Sequence, residues 1–188
     1  MDVKDTREQL EIVEKILAAS SRTLCAGGEF FLVWGIVSAS IDFLNQLVAN
    51  NTLPATALWA MPVLILIGVV FSTWRSIQMR AHSGRMSMLQ REYLNMMYMT
   101  LGVTFVAQFA GSNFFAGWAE GAIWNVAGTM VLLFIGMHGN RRAVLAGVVL
   151  IVTLAIANYT PAIAGYVLGA GMLVGYTGFG ATELLARE

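Results

Sequence analysis

The chain has 188 residues, 57% hydrophobic and 12% charged, with eleven basic and eleven acidic side chains that cancel to no formal net charge. A mean hydropathy of +0.69 excludes an ordinary soluble domain, in which about a quarter of residues are charged and roughly a third of the unfolded-chain surface stays exposed to water. Lipid must cover the apolar remainder. The single cysteine, Cys25, excludes an intramolecular disulfide framework and a four-thiolate zinc site.

Residues 1–24 open the chain. Leu10, Val13, Leu17 and Leu24 fall on one helical face with Ile12 and Ile16 beside it, while Asp5, Glu8, Glu11, Lys15 and Arg22 occupy the others. That pattern predicts a cytosolic amphipathic helix. Its bases, Lys4, Arg7, Lys15 and Arg22, are matched by Asp2, Asp5, Glu8, Glu11 and Glu14, so it lacks the basic excess of an anionic-lipid anchor. It is expected to pack on the protein's own cytosolic loops or on a cytosolic partner protein. The segment also lacks the apolar core of about 7–15 residues that a cleaved signal needs, so the first span is expected to act as a retained signal anchor.

Residues 25–188 then hold six apolar stretches, at about 29–48, 58–74, 93–112, 121–137, 143–157 and 162–181. Most approach the ~20 residues that cross a bilayer, and the fifth is the shortest. GSNFFAGWAEG separates the third from the fourth, and Asn158-Tyr159-Thr160-Pro161 breaks the fifth from the sixth. The expected fold is an all-α membrane protein of six transmembrane helices behind a cytosolic amphipathic helix.

Charge supports this threading. Lys4, Arg7, Lys15 and Arg22 precede span one; Arg75, Arg80, Arg85 and Arg91 lie between spans two and three; Arg141 and Arg142 lie between four and five; Arg187 follows six. Six crossings put all of them on one side, and basic residues in short connections mark the cytoplasmic side. Both termini are therefore expected in the cytoplasm. Trp59, Trp74, Trp118 and Trp124 sit mostly near span ends, as interfacial aromatics do.

The run IVEKILAASSRTLCAGGEFFLVWG, an amphipathic helix leading through Cys25-Ala26-Gly27-Gly28 into span one, resembles the opening of a group of uncharacterised six-span bacterial membrane proteins. The resemblance implies a bacterial inner (plasma) membrane location. It implies no activity and carries over no functional residue.

Asp42 is the acidic residue deepest in a span, where an ionisable group costs about 2.5–3.5 kcal/mol even on the lenient insertion scale. Ser38, Asp42, Asn45 and Gln46 form a stripe on span one. Thr100, Thr104, Gln108 and Gly111 share a face of span three, and Gly121, Asn125 and Gly128 a face of span four. Two readings stay open: hydrogen bonding between helices, or a site for a proton, cation or small polar solute. A site would be built from Asp42, Asn45, Gln108 and Asn125, with Glu120 and Asn113 toward the outer face. Glu29 and Glu92 open spans one and three, where the helix dipole favours carboxylates.

In span six, Gly165 with Gly169 and Gly171 with Gly175 allow close helix approach, within the chain or between copies in a homo-oligomer or membrane complex. The connection holding Arg75, Arg80, Arg85 and Arg91 is acid-free and suits anionic lipid headgroups, at about 1 kcal/mol per base, or an acidic partner. A nucleic-acid partner is not expected. Met86, Met88, Met96, Met97 and Met99 lack accompanying Cys or His at ligand spacing, so they read as packing residues, and no cofactor is expected. His82 and His138 fall in connections, away from any buried serine, and no phosphate loop, dinucleotide fingerprint or HExxH occurs. Two functions follow as expectations: a non-enzymatic scaffold or regulatory component, or a small transporter or channel whose path includes Asp42.

Overall fold

The computed structural model describes residues 27–83, 88–110 and 118–186. Within these, backbone alone is described for 79–83, 88–91, 93–94, 101, 108–110, 118 and 120. The predicted helix at 1–24 lies outside the described residues, as do Arg85, Gly111 and Asn113.

Every regular element among the described residues is helical. Helix α1 runs Gly28–Ala49. It ends where Asn51 takes a left-handed conformation, φ 56°, which asparagine tolerates better than most side chains. The amides of Asn50, Asn51 and Thr52 turn back onto Gln46, Val48 and Leu47 carbonyls at 2.9 Å each, so the exposed helix end keeps its hydrogen bonds. A 3-10 turn, Ala55–Trp59, leads into α2, Ala60–Ser83. Pro62 sits in the first turn of α2, where a missing N–H is harmless.

Helix α3 spans Met88–Ala110 and α4 Trp118–Met137. Gly139 closes α4 at φ 96°, a conformation that favours glycine. Asn140 then caps α5, Arg141–Tyr159, its Oδ1 accepting from the amides of Arg142 at 3.0 Å and Ala143 at 3.2 Å. A 3-10 turn at Pro161–Ile163 precedes α6, Ala164–Met172. A π turn, Leu173–Thr177, joins it without a break to α7, Gly178–Leu185.

Among the described residues, four helical stretches are long and apolar enough to cross a membrane: Gly28–Ala49, Ala55–Gln78, Arg141–Tyr159 and Pro161–Leu185. Asn95–Ala107 and Gly121–Met137 are shorter apolar stretches. Several elements outrun their predicted bounds. The second carries its helix through Arg75 to Ser83, and the third begins at Met88, so most of the basic connection is helix. Nothing in local hydropathy stops a helix at its last apolar turn, and Gln, Arg and Met are good helix formers.

The packed centre combines α1, α4, α5 and α6–α7. Phe31 and Ala39 meet Val131, Leu132 and Ile135 from α4, Ala143, Ala146 and Leu150 from α5, and Met172 and Phe179 from the last helix. Phe31 lies edge-on to Phe179 at 4.9 Å and to Tyr176 at 5.2 Å between centroids, a favoured aromatic geometry. Ala157, Ala164 and Leu168 form a second, smaller cluster. Helices α2 and α3 lie on the rim, α2 against α1 and α3 against α4.

Consecutive helices run in opposite directions, so one end of the bundle collects the start of α1, the ends of α2, α4 and α7, and the start of α5. Gly28 abuts Gly180 there, and Glu29 meets Arg75. The other end collects Gln46, Ala162 and Gly165.

Candidate functional site

The buried polar residues of α1 are Asp42 and Gln46, 5% and 7% exposed. They share a face with Phe31, Gly35 and Ala39, the stripe that meets α6–α7. Ser38 and Asn45 flank it and are half-buried. Asp42 stands seven residues before the end of α1, about 10 Å along the axis, on the side away from Glu29.

Three helices meet at Asp42. Gly121 of α4 admits it: a Cβ there would run into Oδ1 of Asp42. One turn on, the Asn125 side chain stands beside the same carboxyl, placed to donate to it. Asn125 is fully buried, and its Nδ2 also donates to the Gly121 carbonyl at 3.2 Å. Its Oδ1 has no donor. From α6, Gly165 packs against the Asp42 carbonyl and Gln46.

Gln46 closes the site on its outer side. Its Oε1 accepts from the Gly165 amide at 2.8 Å, and its Nε2 donates to the Ala162 carbonyl at 2.9 Å and to Asn50 Oδ1 at 3.0 Å. Asn50 itself is exposed. The two predicted polar faces of spans one and four thus meet through Asp42 and Asn125. Thr104 on α3 is buried but bonds its own helix, to the Thr100 carbonyl at 2.7 Å. The side chains of Gln108 and Glu120 lie outside the described residues.

Farther along α1, Gly35 receives Thr177 from the π turn so closely that any Cβ would collide with its hydroxyl and amide. The Thr177 hydroxyl is buried and unbonded, while Tyr176 donates to the Gly128 carbonyl at 3.4 Å. π turns inside α-helices occur often at functional positions. The span-six glycines point to different neighbours: Gly165 to Gln46, Gly169 to Phe43, Gly171 to Thr153, and Gly175 to Leu150.

The opposite end carries a polar cluster with no local sequence signal. Glu183, 7% exposed, accepts from Asn140 Nδ2 at 3.1 Å and lies 3.9 Å from Arg142, which also donates to the Thr182 carbonyl at 3.2 Å. An acid near the end of an apolar span was its one visible trace. Arg75 of the basic connection pairs with Glu29 and reaches Gln78 Oε1 at 2.9 Å; the side chains of Arg80, Arg85 and Arg91 lie outside the described residues. His138 turns onto its own helix, its Nδ1 2.8 Å from the Phe134 carbonyl.

A groove of about 880 Å³ opens along α3 over Asn95, Tyr98, Met99, Gly102, Val103 and Val106, and Asp42 does not line it. Among the described residues, no three His, Cys, Asp or Glu side chains gather as a metal site. In comparisons with protein-family models, curated proteins and solved structures, nothing matches this chain.

Proposed function

We propose that the chain is a six-span protein of a bacterial inner membrane, with both termini in the cytoplasm, acting as a non-enzymatic scaffold or regulatory component. The four long apolar helices and two shorter apolar stretches support six crossings, and six crossings leave every Lys and Arg on one side. One observation carries the scaffold reading. The bundle has a closed four-element frame, and α2 and α3 each attach to it by a single face, leaving Leu66, Val70, Val103 and Val106 more than half exposed. Such a rim offers surface to lipid, to a second copy or to another membrane protein, and the arginine-bearing end offers charge to anionic headgroups or an acidic cytosolic protein.

The test is purification of the full chain from native membranes in mild detergent. Stoichiometric self-association or a stoichiometric partner is the expected result. A chain that stays monomeric and alone, with or without residues 1–24, overturns the reading. Topology is checked separately by placing a cysteine at His82 in a Cys25→Ser background; labelling from outside the cell overturns the assigned orientation.

The buried Asp42 and Asn125 favour a second reading, a small transporter or channel for a proton, cation or polar solute along Asp42, Asn45, Gln108 and Asn125. Reconstituted vesicles would then show a flux that Asp42→Asn alters, and the absence of any flux removes this reading.

A further inference from the structure

We infer that Asp42 and Asn125 form a proton-binding pair, a carboxylic acid and a carboxamide joined by two opposed hydrogen bonds. The inference rests on the packing around Asp42 and holds whether or not the proton crosses the membrane. The Asn125 side chain stands beside the carboxyl, and its Nδ2 donates to the Gly121 carbonyl at 3.2 Å. Its Oδ1 is left as an acceptor without a donor at a residue of zero exposure. A buried acceptor without a donor costs about 1–3 kcal/mol, and a buried charge costs far more unless it is paired.

One proton answers both penalties. When hydronium gives a proton to the Asp42 carboxylate, an O–H bond forms, water leaves, and the new hydroxyl can donate to Asn125 Oδ1. The second amide N–H donates to the other carboxyl oxygen. The pair is then neutral, with a donor and an acceptor matched on each partner.

The surroundings favour a proton over a metal cation. Calcium takes roughly six to eight oxygens, whereas the carboxyl lies against Gly121, which has Leu168 on the same face. Ionisable neighbours are few. On α1 the nearest described one is Glu29, thirteen residues back, or about 20 Å, where it pairs with Arg75. On α6 it is Tyr166, whose ring faces Phe43 at 6.3 Å. On α4 it is Glu120, next to Gly121, whose side chain lies outside the described residues. Among the described side chains, no cation reaches Asp42.

Infrared difference spectroscopy on the full chain in lipid nanodiscs tests the pair. A protonated buried carboxyl gives a carbonyl stretch distinct from carboxylate bands, sensitive to deuterium exchange and to its hydrogen bonding. Wild type minus Asp42→Asn is expected to show that band. Asn125→Leu and Asn125→Thr are expected to move it to a frequency of weaker hydrogen bonding; Asn125→Thr carries this arm if Asn125→Leu does not fold, as judged by circular dichroism and elution. Asp42→Asn should fold, because an amide can complete the same two bonds. The inference is overturned if the difference spectrum lacks the band at every pH at which the protein stays folded, or if the band keeps its frequency in the Asn125 variants. Proton flux measured on the same protein in sealed vesicles separates the transport reading: a band without flux supports the pair and removes transport.

Discussion

Helix α1 is held on two sides by different means. Against α6–α7 the contact is between backbones: Gly28 faces the Gly180 carbonyl, Gly180 faces Leu32, Gly35 takes in Thr177, and Gly165 lies on the Asp42 carbonyl. Against α2 the contact is between long side chains: Glu29 with Arg75, Phe30 edge-on to Phe71 at 6.2 Å, and Trp34 Nε1 donating to Ser72 Oγ at 2.8 Å with its ring over Gly68. Lipid tails give apolar helices little reason to associate, so close packing and hydrogen bonds decide which pairs hold. The glycine seam makes a rigid frame, and the side-chain seam makes an attachment that can be undone without unfolding that frame. Burial follows the same division: 44% of the apolar 18-residue window within Pro161–Leu185 is buried, against 6% of the one within Ala55–Gln78.

Substitutions graded by size can break or sharpen this contrast. Leu150→Ala empties a site of zero exposure where α5 meets the frame, and should lower stability by about 2–5 kcal/mol, read as the shift of a reversible unfolding curve in detergent. Gly180→Val puts a side chain against the backbones of Gly28 and Leu32, and overpacking of that kind costs about 1–3 kcal/mol. A Gly180→Val protein as stable as wild type would deny the backbone seam its importance. Asn140→Ala removes the α5 cap and the Glu183 bond together, and cap removal alone costs about 0.5–2 kcal/mol.

The rim should respond less. Trp34→Phe deletes the bond to Ser72, and interhelical side-chain bonds in membranes average about 0.6 kcal/mol. Glu29→Gln breaks an ion pair whose side chains are 27–29% exposed, worth about 0–1 kcal/mol and weakened by salt. Both should spare global unfolding while slowing disulfide formation between cysteines placed at Phe30 and Phe71 in a Cys25→Ser background. If either rim change unfolds the chain as readily as Leu150→Ala, frame and rim are one cooperative unit.

Much of the frame is readable from local pattern. The apolar stretches mark helices because their length and periodicity are local properties, and Asp42 and Asn125 stand out because strongly polar residues are rare in spans. Their meeting was not readable, since it joins residues about eighty positions apart. Glu183 shows the limit more sharply: its partners Asn140 and Arg142 lie in another connection, and its own neighbourhood resembles any span end. The π turn at Leu173–Thr177 leaves no trace in composition, because it arises where Thr177 must fit Gly35 while Gly175 fits Leu150.

Sequence alone determined that this chain is helical and apolar enough for a membrane, and that its basic residues segregate to alternate connections. Hydropathy and charge act residue by residue and need no partner to be counted. Only the tertiary structure decided which glycine meets which helix, that Asp42 is enclosed with Asn125, and that α2 and α3 stand at the rim. Those outcomes depend on the direction of each side chain around its helix and on contacts between distant segments, which packing selects from many arrangements the same pattern allows.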